Sequence, residues 1–207
     1  MDKWTEAQKH EAEYWQNCLG MTAWGEFAKQ AMYGREMGLF SEYGAPDGEL
    51  DMQGKSVLDI GGGPVSMTLR CINAGILTVA DPCPWPPSVH RRYKNYGIEF
   101  IQARGEDLLG QHFRVPGAKG VYDEVWVYNV LQHVQDPAQV LIAAKTLGKV
   151  LRIFEWLWIP ADKCHPHVLS PEGILNWLEG CRIKKIGLPH LKEFWSDATA
   201  LAGVFTC

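Results

Sequence analysis

The stretch KSVLDIGGGPVSMTLR, residues 55–70, decides how the rest of the chain is read. A short apolar run, Val57 to Ile60, carries one acid at Asp59 and stops at three consecutive glycines, Gly61, Gly62 and Gly63. Such a run, bounded by glycines, reads as a buried strand over 56–60. Glycine has no Cβ, so backbone at that strand end can come close to a ligand, and a helix start just after it offers free N–H groups. Pro64 falls in a first-turn position, where its missing N–H costs little, so 64–73 reads as a helix.

Strand and helix go on alternating downstream. Residues 76–80 read as a second strand ending at Asp81-Pro82, 88–95 as a short helix and 98–103 as a third strand. Residues 124–128 read as a fourth strand, 137–147 as a helix, 149–156 as a fifth strand and 171–179 as a further helix. This alternation predicts a parallel sheet with helices on both faces. Residues 182–188 and 198–206 read as two last strands with no helix between them, hence an antiparallel edge pair. Ligands of such sheets bind at the carboxyl ends of the strands, near the point where strand order reverses. The three glycines sit at such an end. Upstream, 3–18 reads as a helix with Trp4, Ala7, Glu11, Tyr14, Trp15 and Cys18 at 3/4 spacing, and 24–40 as a second helix weakened by Gly34 and Gly38. Residues 41–54 are loop by composition. Residues 1–50 form an N-terminal helical appendage and 51–207 the main domain.

The bulk of the chain narrows the function classes. It has 207 residues, 46% hydrophobic and 21% charged, as expected of one soluble globular domain. A net charge of −4 argues against an electrostatic grip on nucleic acid or on an anionic membrane. No apolar run approaches the roughly 20 residues of a membrane span, and the charged N-terminus lacks the apolar region of a signal peptide. Six cysteines, at 18, 71, 83, 164, 181 and 207, include no C-x-x-C pair and read as reduced thiols of a cytoplasmic protein. ADKCHPHVL, residues 161–169, gathers Asp162, Cys164, His165 and His167, but its spacing fits no standard metal site, and no metal is expected. HRRYKNY, residues 90–96, reads as a solvated helix face.

Three features point to a ligand. Asp59 sits inside the first strand and Ser66 stands where a dinucleotide motif has its last glycine, which speaks against a nicotinamide cofactor. Asp81 ends the second strand, where a carboxylate can accept two hydrogen bonds from a ribose diol. ARGEDLL follows the third strand, and DEVWVYNVLQHVQDPAQVL forms the fourth strand and its exit. Taken together, VLDIGGGP, VADP, GEDL and NVLQHVQDP resemble, in order and spacing, the four motifs of the class I S-adenosylmethionine (SAM)-dependent methyltransferases. HPHVLSPEGILNWLEG is similar to the segment after the fifth strand of many small-molecule members. The resemblance covers residues 55–207.

The resemblance implies a Rossmann-like, doubly wound α/β sheet of seven strands, mostly parallel with the last strand antiparallel, plus an N-terminal helical lid. It implies SAM as cofactor. Asp59 would orient the glycine turn, Gly61, Gly62 and Gly63 would pass under the methionine and ribose, and Asp81, followed by Pro82, would hold the ribose hydroxyls. Gly105 would offer its N–H to the adenine, and Asn129, with Val130, would face the methionine ammonium. Tyr14, with Trp15 and Tyr33, would belong to the lid. Val65 and Arg104 depart from the pattern: Arg104 cannot accept a hydrogen bond from the adenine amino group, which leaves Glu106 or Asp107 for that role. His133, after the fourth strand, would face the methyl group as a general base. Glu155, ending the fifth strand, would bind a substrate cation or act as base, and His167 would line the substrate side. The expected partner is a small-molecule acceptor. A methyltransferase for nucleic acid, nucleotide or peptide is the first alternative, although NVLQ stands where base-amino methyltransferases carry an N/D-P-P-Y tetrapeptide. A non-catalytic SAM-binding partner protein is the second. Exposed aromatics near the last strands would suit a dimer.

Overall fold

The computed structural model of the chain describes residues 3–16, 24–40, 48–110, 121–190 and 199–207. Two helices come first, α1 over Lys3–Gln16 and α2 over Trp24–Glu36. A two-residue strand β1, Leu50–Asp51, leads to β2, Val57–Ile60, which is buried throughout. A 3-10 turn, Met67–Arg70, and strand β3, Cys71–Ile72, follow the glycines. Then come β4 (Leu77–Asp81), α3 (Pro87–Asn95), β5 (Ile98–Gln102) and β6 (Tyr122–Tyr128). The chain closes with α4 (Pro137–Leu147), β7 (Gly148–Leu157), α5 (Pro171–Trp177), β8 (Arg182–Gly187) and β9 (Thr199–Thr206).

Seven strands make one sheet in the order β5-β4-β2-β6-β7-β9-β8. Strands β5, β4, β2, β6 and β7 are parallel, whereas β9 runs antiparallel to both β7 and β8. This is the expected doubly wound sheet with its last strand reversed. The chain steps outward from β2 to β4 and β5, then returns to the other side of β2 with β6. Order therefore reverses between β2 and β6, which is where such sheets bind ligands. Ile60 pairs with Ala80 of β4 and with Val127 of β6, so the loops leaving these three strands start side by side.

Side chains alternate across a strand, and both faces of this sheet are covered. Leu58, Ile60, Val125, Val127, Leu151 and Ile153 pack beneath α4 and α5, against Val140, Leu141, Ala144 and Ile174. On the other face Val57, Val79, Trp126 and Phe154 meet Met32, Tyr33 and Met37 from the α2 side and Val89 and Tyr93 of α3. Tyr33 lies 4.5 Å from the Phe154 ring, and Arg152 donates to the Met37 carbonyl at 2.7 Å. Each fully buried residue such as Leu58 or Phe154 contributes about 1.5–3 kcal/mol before the entropy of ordering it.

Three expectations are corrected. The helix read over 64–73 is a 3-10 turn of four residues followed by β3, which pairs with β1. The Ser66 hydroxyl accepts from Thr68 N and shares a hydrogen bond with the Thr68 hydroxyl, and such local side-chain bonds compete with helix. The helix read over 24–40 ends at Glu36, with Gly38 at φ +70° in the turn after it. The cysteines are not all reduced: Cys181 and Cys207 form a disulfide. Antiparallel pairing of β8 and β9 sets Arg182 opposite Thr206, and the two cysteines flank that pair. Cys71, Cys83 and Cys164 are free thiols, while Cys18 lies outside the described residues. Among the described residues no helix is long and apolar enough to cross a membrane.

Candidate active site

The glycine turn is built from close approaches. Gly61 and Gly63 take left-handed backbone, at φ +76° and +61°. A Cβ on Gly61 would fall 2.5 Å from Val130, and one on Gly62 would fall 2.7 Å from Asp59 Oδ2. Gly63 differs: nothing lies within 4 Å of the place its Cβ would take. The protein's own packing demands glycine at 61 and 62, whereas at 63 only the backbone sign does, and the position faces open space.

A buried hydroxyl network holds this turn. Asp59 Oδ2 accepts from Ser66 Oγ at 2.5 Å and from Tyr128 OH at 2.6 Å, and Tyr128 OH in turn accepts from Met67 N. Tyr93 OH donates to the Gly63 carbonyl and accepts from Ser66 N. Gln30 of α2 donates to the carbonyl of Val65. Asp59 Oδ1 is buried with no protein partner. Burial pushes the Asp59 carboxyl up to about 7, against the pull of the Ser66 and Tyr128 hydroxyls.

Asp81 closes the other side. Its Oδ2 accepts from Gly63 N at 3.0 Å, and its Oδ1 accepts from Cys83 N at 2.9 Å and Trp85 Nε1 at 3.0 Å. Burial again raises the carboxyl, to about 6, while these donors work against it. The glycine turn, the exits of β4 and β6 and the two N-terminal helices surround a cleft of about 750 Å³, counted to its open mouth. Gly61, Gly62 and Gly63, Asp81 and Pro82, and Asn129, Val130 and His133 all line it. The nucleoside end of the implied cofactor fits this cradle: open space stands before Gly63, and Asp81 Oδ2, with one protein donor, has an acceptor site left for a ribose hydroxyl.

The segment after β6 is held from three sides. Asn129 takes φ +55°, a conformation asparagine tolerates, and its N–H bonds the Phe154 carbonyl at 2.7 Å. Glu155 is fully buried, and its carboxylate accepts from Val130 N and Leu131 N at 3.0 and 3.1 Å. It reaches the cleft only through the backbone it holds. Burial raises its carboxyl to about 7 against those two amides and the charge of His133. His167 bonds the carbonyl of Val134 at 2.8 Å and is not part of the cleft wall. His133 is part of it. Its Nδ1 lies 2.9 Å from the Cys164 carbonyl and 3.2 Å from Glu11 Oε1.

The third motif lies away from the cleft wall. Arg104 forms a two-pronged pair with Asp107, at 2.6 and 2.8 Å, and reaches Gln135. Glu106 accepts from the N–H groups of Gln135 and Asp136 at the start of α4. Both carboxylates are thus engaged within the protein. Gly105 is packed under Ile60 and Val140, where a Cβ would come within 3.0–3.1 Å. Tyr14 is 53% exposed and meets Trp15 edge-on, and Trp15 is the residue of the pair that lines the cleft.

Several wall residues have only a weak sequence signal. Gln8, Glu11 and Trp15 share one face of α1, since residues three, four and seven apart align on a helix. An acid inside that aromatic stripe was the available sign. Trp85, four residues after Asp81, and Gln30 carried none. Among the described residues no group of three or more histidine, cysteine or acidic side chains is placed to hold a metal ion. His165 instead pairs with Asp162 at 2.9 Å.

The architecture is the Rossmann-like fold found in class I SAM-dependent methyltransferases, and comparison with solved structures bears out that fold. 1,6-Didemethyltoxoflavin-N1-methyltransferase of Burkholderia thailandensis, crystallised with bound 1,6-didemethyltoxoflavin and S-adenosylhomocysteine, is 13% identical at a TM-score of 0.60, covering 98% of this chain and 87% of its own. The N-methyltransferase NodS of Bradyrhizobium japonicum is 16% identical at 0.56, covering 86% and 95%. The 4+2 cyclase SpnF is 14% identical at 0.58, covering 83% and 79%. No protein-family profile matches the chain, and no curated protein sequence does.

Proposed function

We propose that the protein is a SAM-dependent methyltransferase acting on a small-molecule acceptor. The observation that carries this reading is the junction of Gly63 and Asp81. A bare left-handed glycine facing open space is bonded through its N–H to a buried carboxylate with acceptor capacity to spare. When bound, the cofactor supplies an activated methyl group on a sulfonium, so the protein needs mainly to align the acceptor and exclude water. Gly61 to Gly63 give close backbone approach, Asp81 takes the ribose hydroxyls, and Asn129 and Val130 edge the methionine side. Trp15 and Tyr33, from the two N-terminal helices, wall the acceptor side and keep water out. Two neighbours crystallised as N-methyltransferases, one with bound 1,6-didemethyltoxoflavin, support a small acceptor here.

Calorimetric titration with S-adenosylhomocysteine, with NAD as control, tests this. One-to-one micromolar binding of the thioether alone is expected. Asp81→Ala should weaken it by about 1.5–3 kcal/mol, the worth of charge-assisted hydrogen bonds. An effect within twofold would remove Asp81 from the ribose site. Because the same fold serves a cyclase in SpnF, methyl transfer needs its own assay: label from methyl-labelled SAM must appear in an acceptor.

A further inference from the structure

We infer that Glu11 of α1 is a positioning residue for His133, and that the two form a carboxylate–imidazole pair that accepts the proton of a hydroxyl-bearing acceptor at His133 Nε2. Two acceptors converge on His133 Nδ1: the Cys164 carbonyl at 2.9 Å and Glu11 Oε1 at 3.2 Å. Neither can donate, so Nδ1 carries the hydrogen in every protonation state of the ring. In the neutral ring the lone pair is therefore on Nε2. The amide of Gln132 stands 3.3 Å from Nε2 and 3.1 Å from Asn129 Oδ1. With the hydrogen on Nδ1, Nε2 accepts from the Gln132 amide, which also donates to Asn129 Oδ1.

Glu11 is itself held. Trp15 Nε1 donates to its Oε2 at 3.1 Å, one turn along the helix. Gln8, three residues earlier, donates to the His133 carbonyl at 3.0 Å. Helix α1 thus grips both the backbone and the ring of His133 with residues of one face. The titratable groups around the ring are Glu11 from α1, Glu155 from β7, and His165 with its partner Asp162 from the segment before α5; the His165 ring centre is 4.7 Å away. Burial pulls His133 down, but Glu11, the Cys164 carbonyl and Glu155 outweigh it and hold the imidazole above its ordinary range. Glu11 is held below the usual carboxylate range, since His133 and Trp15 outweigh its own burial.

The chemistry follows from the pair. The acceptor O–H breaks heterolytically, its proton passes to Nε2, and its electron pair stays on the oxygen that forms the new bond. The imidazolium left behind is offset by Glu11. A hydroxyl needs such help because it is a poor nucleophile while protonated. The acceptor class rests on the methyl-transfer reading; the tautomer and the pairing do not.

Long-range proton–nitrogen correlation spectra of histidine-labelled protein, recorded across pH, read both directly. His133→Gln identifies the signal. Neutral His133 should carry its hydrogen on Nδ1, the minor tautomer of free histidine, and Glu11→Gln should lower its proton affinity about tenfold. A hydrogen on Nε2 in the wild type, or a change within twofold in Glu11→Gln, overturns the proposal. S-Adenosylhomocysteine titration of the same sample separates the two readings: no binding with the expected tautomer sinks the cofactor reading alone, and binding with the wrong tautomer sinks the pair alone.

Discussion

The two ends of the central sheet treat buried carboxylates in opposite ways. At the end where β2 and β6 begin, Glu124 is held by Arg152 at 2.7 Å, Lys55 at 3.0 Å and the indole of Trp126. Its own burial works against ionisation, but Arg152, Trp126 and Lys55 together outweigh that and hold it down at about 2. Asp123 beside it is paired with Lys149 and also held at about 2. At the end where the strands stop, Asp59, Asp81 and Glu155 are held by hydroxyls, amides and one indole, and burial pushes all three up to about 6 or 7. One end compensates its charge within the chain and is structural. The other sets its carboxyls among mostly neutral donors, with burial working against their charge, an environment that a cationic ligand would relieve.

The largest test of this contrast is Glu124→Ala, which strands Arg152 beside a hole. It should cost about 3–5 kcal/mol in urea denaturation and leave S-adenosylhomocysteine affinity within twofold. If affinity falls with stability, the two ends are not separable. Next is the disulfide, which ties the start of β8 to the end of β9 at the structural end. Cys207→Ser should lower stability by about 3 kcal/mol, and wild type in strong reductant should match it. No loss in either would show that the bond does not form in solution.

Asp81→Asn should behave in reverse of Glu124→Ala. Ligand affinity should fall about tenfold, roughly 1.4 kcal/mol, with the urea midpoint at pH 7.5 unchanged or higher. The smallest effect is in the pH profile. Groups raised in the fold bind protons there that the unfolded chain has released, so stability falls as pH rises from about 4 through 7. Glu124 and Asp123 act oppositely, and their contribution is lost as pH drops from about 4 to 2. The unliganded protein should therefore have a higher urea midpoint at pH 5 than at pH 7.5, with the gap narrowed by saturating ligand. A midpoint higher at pH 7.5 would mean the three carboxylates are ionised without cost.

Much of this fold was legible in the sequence because β–α alternation is a local signal. The strand before the glycines, the acid at the end of β4 and the reversed last strand each show in short windows. What stayed hidden is contact between distant segments. The disulfide is made by cross-strand register, which residue spacing does not encode. Glu155 reads as a pocket acid by position, whereas burial turns it into an anchor for the Val130 and Leu131 amides. Residues 64–73 lost their helix to hydroxyls that bond locally. Glu11 stood in the expected helix stripe, but its partnership with His133 depends on how that helix seats.

The strand order carries one more consequence. Strand β2 lies between β4 and β6, and neighbouring strands keep a separation of about 4.8 Å. Asp81 and Asn129 therefore leave the sheet two such steps, roughly 10 Å, apart. The backbone ladder serves as a ruler, set before any loop is drawn. Replacement of α1 or α2 can redraw the acceptor wall in a descendant of this protein while that gauge, and whatever spans it, stays the same.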